Sequence, residues 1–322
     1  MIVRTSLTGP FPRPEPLIAA TRDLDRGRIG TDAVEETFRS TEAEVVALER
    51  RLGFDAVTGG YLRWQDLFRP LAETWDGLAV GPLTRWLETN TFYRQPIILS
   101  PPSRSPGALA ARLPPPVREH PAAAAVLLPG PYTFAQVAEN RSGEAGEAIV
   151  HRLGRTLAEE VHELAGHGYG TFLFSDPYLA VRPPTGPTAE ATVAGYRTIR
   201  AALGSATSVV WTYGADATDA FPLLDRLPVS AVGIDLAETD VERLPPGTGA
   251  TGLGLGVVDP RTTLVEDPAE VARVVRIAHE RRHPPTIWLG PGGPLDLLPW
   301  EPAARKLHVL PAVRQALGGG AA

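Results

Sequence analysis

The chain has 322 residues, 31 Lys and Arg against 37 Asp and Glu, and a formal net charge of -6. It contains no cysteine, which excludes disulfides, thiolate nucleophiles, iron–sulfur clusters and any zinc site built on thiolate. Mild acidity without charge runs argues against nucleic acid or an anionic membrane as a partner and leaves a small molecule as the expected one. Lys306 is the single lysine, so a Schiff-base or general-base lysine has one candidate.

Met1 to Arg13 lacks the apolar core of a signal peptide, and no apolar run approaches the roughly 20 residues of a membrane span. A soluble, cytoplasmic protein is the expectation. Short β-rich runs alternate with amphipathic stretches from end to end, the pattern of βα units around a parallel sheet. In chain order the predicted strands are Val3–Gly9, Ala56–Gly60, Ala124–Leu128, Thr171–Ser175, Ser208–Tyr213, Ala231–Leu236, Thr251–Val258 and Thr286–Gly290. Between most of them lie predicted helices, among them Asp32–Leu52, Gly146–His167, Thr188–Leu203 and Pro268–Arg282. Thr31-Asp32 and Asp267-Pro268 carry helix-start chemistry.

Eight strands over this length predict a single α/β domain, 1–322, folded as a (β/α)8 TIM barrel. Thr84–Leu99 is rich in aromatic and β-branched residues and predicts an extra hairpin after the second strand. The segment 100–121 reads as a proline-rich loop with a short helix near Ala108, and 318–322 as a disordered tail. The run Thr251-Gly-Leu-Gly-Leu-Gly256 reads as a buried strand whose glycines allow close packing, not as a phosphate loop.

Active sites of such barrels sit at the carboxyl ends of the strands. Those ends gather Phe11, Arg13, Tyr61, Arg63, Trp64, Asp66, Tyr132, Ser175, Asp176, Tyr178, Trp211, Thr212, Tyr213, Asp216, Asp235, Asp259 and Arg261. Asp176, Asp235 and Tyr213 are the acid–base candidates, because burial in a mouth raises a carboxyl toward neutrality. The others are expected to bind substrate, the aromatics suiting a flat heteroaromatic. A structural role is the alternative for each: a cap at Asp235, a turn start at Asp259, mutual pairing of Arg13, Arg63 and Asp66.

The ordered motifs GPFPRP, VVALERRLGFDAVTGGYLRWQDLFRP, LLPGPYTFA, FSDPYL, GLGVVDPRT and WLGPGGPLDLLPWEP together resemble the cobalamin-independent methionine synthase family. The likeness is to its carboxyl-terminal catalytic half and covers nearly the whole chain. It implies a zinc held by His-x-Cys, Glu and Cys, where this sequence reads Val210, Thr212, Asp235 and Gly293. Family positions that hold the acceptor amino acid read Pro10, Tyr61 and Ser175. None of the seven histidines falls at a predicted strand end.

These departures lead to the expectation of an enzyme that is not a methionine synthase. It would be a metal-independent methyltransferase acting on a specialised metabolite, with no zinc and no tightly bound cofactor. The resemblance implies methyltetrahydrofolate as its co-substrate. A decarboxylase or lyase of the uroporphyrinogen decarboxylase type and a non-catalytic binding barrel are the alternatives. Homo-oligomer formation is left open.

Overall fold

A computed structural model describes residues 1–318, so the expected disordered tail falls outside the described residues but for Gly318. Ten strands run in chain order: β1 Ile2–Thr5, β2 Trp75–Arg85, β3 Phe92–Arg104, β4 Ala125–Pro129, β5 Glu139–Asn140, β6 Thr171–Ser175, β7 Thr207–Trp211, β8 Ala231–Asp235, β9 Gly252–Val258 and β10 Thr286–Pro291. Seven of them form one curled parallel sheet in the order β1-β10-β9-β8-β7-β6-β4. Every residue of β4, β8 and β9 is buried, as expected of a parallel sheet with both faces covered.

The long helices span Thr31–Arg51, Gly146–Gly166, Gly186–Ala202 and Pro268–Arg282. Asp267 caps the last of these, its carboxylate accepting from the Ala269 N–H at 2.8 Å. At the first, Thr31 is already helical and Gly30 stands at the cap. No helix among the described residues is long and apolar enough to cross a membrane.

The eight-strand expectation meets seven strands and a bridge. Ala56–Gly60 does not form a strand, and Val57 pairs with Ala124 in an isolated parallel bridge. The segment still bonds both neighbours: the Asp55 N–H donates to the Thr5 carbonyl at 3.0 Å, and the Ala125 N–H to the Val57 carbonyl at 2.8 Å. It stops short because Gly59, Gly60 and Tyr61 all take positive φ, at 65°, 72° and 53°, which ends extended pairing.

The hairpin is longer than expected. β2 and β3 pair antiparallel and are joined by β5 in a separate three-stranded sheet. Register shifts lie between Asp76 and Leu78 and between Val80 and Leu83. Gly77, at φ 82°, passes so close to the Ser100 carbonyl that a Cβ there would lie 2.8 Å away. These bulges break the alternation in WDGLAVGP and hide the strand from a period-two reading. The predicted loop at 100–121 accordingly starts as strand, to Arg104, and then makes short helical turns at Ala110–Arg112 and Pro115–Glu119.

The glycine run in β9 packs as the sequence indicates. A Cβ on Gly233 of β8 would overlap the Trp211 ring, and one on Gly254 would lie 2.9 Å from it. Trp211, 1 % exposed, therefore fills the interior of the curled sheet above two bare strands.

Candidate active site

A cavity of about 100 Å³ opens at the carboxyl ends of the parallel strands. β6, β7 and β8 deliver Ser175, Tyr213 and Asp235 to it, the loops after β9 and β10 deliver Arg261 and Asp296, and the β2–β3 tip covers it. The Ser175 and Tyr213 hydroxyls are hydrogen-bonded at 3.0 Å. Tyr213 is 6 % exposed, and burial raises its phenol well above its ordinary value.

Asp235 closes β8 at 2 % exposure. Its Oδ1 accepts from the Ala237 N–H at 3.0 Å and its Oδ2 from the Gly214 N–H at 3.4 Å. A Cβ on Gly292 would meet Oδ1 at 2.5 Å, so only glycine lets the chain leaving β10 pass this carboxylate. Burial pushes the Asp235 carboxyl up to about 6, and the Arg261 guanidinium 3.6 Å away opposes that rise. Arg261 also pairs with Asp259 at 2.8 Å and with Glu238, so its charge is spent on protein carboxylates. Asp296 opens to solvent on one side. Burial raises its carboxyl to about 6 as well, and Arg13 opposes that rise; Asp235, at 2 % exposure, is the better shielded of the two from water.

Of the residues expected at the site, Asp66, Ser175, Tyr213, Asp235 and Arg261 line this cavity. Asp66 does so with its oxygens already engaged, accepting from the Phe68 and Arg69 N–H groups at 2.8 Å and the Arg94 N–H at 2.9 Å. It ties β3 of the hairpin to the start of the short helix Arg69–Thr74.

Asp176, an acid–base candidate, is fully buried in a clamp. Its Oδ1 accepts from the Thr133 N–H at 2.6 Å and its Oδ2 from the Tyr196 hydroxyl at 2.7 Å, and a Cβ on Gly130 would overlap it. Burial lifts it to about 6 against those hydrogen bonds, yet it does not line the cavity.

The remaining residues are engaged elsewhere. Phe11 packs edge-on to Trp300 at 5.0 Å. Arg13 donates to the Leu62 carbonyl at 2.7 Å, and Arg63 pairs with Glu42 at 2.9 Å and Glu35 at 2.6 Å. The mutual pairing of Arg13, Arg63 and Asp66 does not occur. The Tyr61 hydroxyl accepts from the Leu127 N–H at 2.7 Å, and the Trp64 indole donates to the Arg112 carbonyl at 2.7 Å. The Tyr132 hydroxyl donates to the Arg182 carbonyl at 2.8 Å, and the Tyr178 N–H to the Thr133 hydroxyl at 3.1 Å. Asp216 pairs with Arg243 at 2.9 Å. Asp259 accepts from the Arg261 N–H at 3.0 Å, the turn start that its sequence suggested.

Sequence reasoning missed Asp296 and the hairpin residues Trp86, Leu87 and Tyr93. Asp296 lies in a Pro/Gly/Leu run past β10 with no neighbouring polar motif. The hairpin was visible, but not the direction in which its tip folds.

The family's zinc does not fit these donors. Val210 lies in the core, the Thr212 hydroxyl donates to the Gly233 carbonyl at 2.8 Å, and Gly293 has no side chain. Asp235 is the one ligand of ordinary strength, where zinc takes three or four. Among the described residues no three His, Asp or Glu side chains converge on one point.

Parallel strands whose carboxyl ends surround a small cavity with a raised carboxylate and two hydroxyls define an enzyme-type α/β protein. The family described as "Cobalamin-independent synthase, N-terminal domain" matches residues 71–282, and the chain belongs to the cobalamin-independent methionine synthase family. The matched domain is the amino-terminal one, whereas the motif likeness was drawn to the carboxyl-terminal half.

The methionine synthase of Sulfurisphaera tokodaii is 26 % identical over 315 residues, covering 95 % of this chain and 90 % of that protein. The 5-methyltetrahydropteroyltriglutamate–homocysteine methyltransferase of Nitratidesulfovibrio vulgaris is 29 % identical, covering 70 % of this chain and 32 % of its own. The B12-independent methionine synthase of Shewanella sp. W3-18-1, solved with selenomethionine, superposes with a TM-score of 0.73 at 16 % identity over 98 % of this chain and 97 % of that one. These matches overturn the expectation of an enzyme that has left methionine-synthase chemistry for a specialised metabolite. That expectation counted acidic partners only at the family's motif positions. The structure sets Asp296, from outside those positions, beside Asp235, which stands at the family's Glu position.

Proposed function

We propose that this chain is a methyltransferase of the methionine-synthase type, a single (β/α)8-like barrel in which Asp55–Thr58 takes the eighth stave. The observation that supports the reading best is the presence of Asp235 and Asp296 in one small, largely apolar cavity beside the Ser175–Tyr213 hydroxyls. Two carboxylates there, with Arg261 already engaged, suit a cation on a short apolar chain. The ammonium of homocysteine has that chemistry. Methyltetrahydrofolate, carrying the methyl on N5, is the proposed donor.

The transfer forms an S–CH3 bond and breaks the N5–CH3 bond, leaving the electron pair on N5. One proton must leave the thiol and one must reach N5. Asp235, held at about 6, can take the first and return the second, because its proton affinity lies near the working pH. Asp296 holds the ammonium, and the Ser175–Tyr213 pair orients the acceptor. No step runs through a metal.

Asp235→Asn removes the proton carrier, and methyl transfer should fall on the order of 100-fold or more. In the native protein kcat/KM should rise with pH through about 6, as Asp235 ionises, and this inflection should vanish in Asp235→Asn. A surviving inflection assigns the proton transfer to another group.

A further inference from the structure

The cavity is smaller than its mouth requires. At about 100 Å³ it lies below the roughly 300–1,000 Å³ of ordinary small-molecule sites, and a bicyclic aromatic donor does not fit inside it. The β2–β3 tip is what closes it. Trp86 lines the cavity together with Tyr213, and Leu87 lies over Gly214, 3.3 Å from where a Cβ on that glycine would be.

Leu87 holds φ at 46°, a left-handed conformation that disfavours a side-chain-bearing residue. Strain of this kind persists where the surroundings hold it and collects at ligand clamps. The tip is internally braced: the Trp86 N–H donates to the Thr91 carbonyl at 2.9 Å and the Thr89 N–H to the Trp86 carbonyl at 3.1 Å. Trp86 also packs at 5.4 Å from Phe68 and 5.7 Å from Tyr93. A tip braced within itself and held to the body by the Trp86–Phe68 packing and the Leu87–Gly214 approach has the form of a unit that can lift as one.

We propose that Trp86 and Leu87 form a cap that selects by size, admitting a short aminothiol under the closed tip and a bulky aromatic donor only when the tip lifts. The proposal deepens the reading of the site above and rests on it for the identity of the two ligands. The size filter itself does not depend on methyl transfer.

The cysteine-free chain allows a direct test. Ser175→Cys places a thiol in the cavity, and Leu83→Cys, on an exposed hairpin residue, serves as the open reference. Each is treated with methyl methanethiosulfonate and with a bulky benzyl methanethiosulfonate. Relative to the reference, the bulky reagent should modify Ser175→Cys roughly ten-fold more slowly than the small one. Adding Trp86→Ala and Leu87→Gly should bring the two rates within about two-fold. Leu87→Gly alone, which relieves the strained φ, should move the ratio the same way and serves if the double change does not fold. Equal ratios with and without the cap, or no modification in either background, overturn the proposal. A size filter that holds while methyl transfer is absent overturns the functional reading and leaves the cap standing.

Discussion

Asp176 follows β6 and Asp235 ends β8, on either side of β7 in the parallel sheet; both are buried and both are raised to about 6, yet the chain uses them differently. Asp176 spends its oxygens on the Thr133 N–H and the Tyr196 hydroxyl, whereas Asp235 faces the cavity. Tyr196→Phe leaves the buried Asp176 one donor short and should cost roughly 1–3 kcal/mol of stability, read by urea unfolding. It should leave kcat within about two-fold, since Asp176 does not touch the cavity. A large fall in kcat without loss of stability would place Asp176 in the chemistry. The sequence put both aspartates at strand ends correctly. It could not separate them, because the partner that occupies Asp176 is twenty positions away on a helix and the cavity that frees Asp235 is walled by residues after β10. Asp296 went unseen for the same reason.

At the scale of elements, strands flanked by long amphipathic helices were legible because their periodicity and punctuation agree. Gly186–Ala202, Pro268–Arg282 and the strands β4 and β6 to β10 match their sequence bounds to within a few residues. Legibility failed where backbone geometry overrides pattern. Three successive positive φ values cut the second strand to one bridge, and bulges concealed the first half of the hairpin. The glycines of β8 and β9 were legible as close packing but not as a seat for Trp211. Gly233→Ala forces a methyl into that indole and should cost roughly 1–3 kcal/mol, measured as a fall in the urea midpoint with m unchanged. An unaltered midpoint would show that Trp211 moves freely and that the interior is not filled as described.

Across the whole molecule, burial raises the proton affinity of several carboxyls, among them Glu49 and Glu160 to about 7 and Asp176 and Asp235 to about 6. A raised carboxyl binds its proton more tightly folded than unfolded. Its burial penalty is therefore in force above the folded value and relieved as pH falls toward the unfolded one. The melting temperature should then be higher at pH 5 than at pH 8, by roughly 5 °C, and a melting temperature that rises from pH 5 to pH 8 would contradict the burial of these groups as charged species. The same burial gives the mouth its raised carboxylate, so stability and function draw on one feature of the fold. The most direct test incubates the purified chain with L-homocysteine and 5-methyltetrahydropteroyltriglutamate and measures methionine by mass spectrometry beside Asp235→Asn. Methionine formed by the native chain and lost by on the order of 100-fold in the variant is the result predicted. No methionine from the native chain, or equal amounts from both, would contradict methyl transfer centred on Asp235.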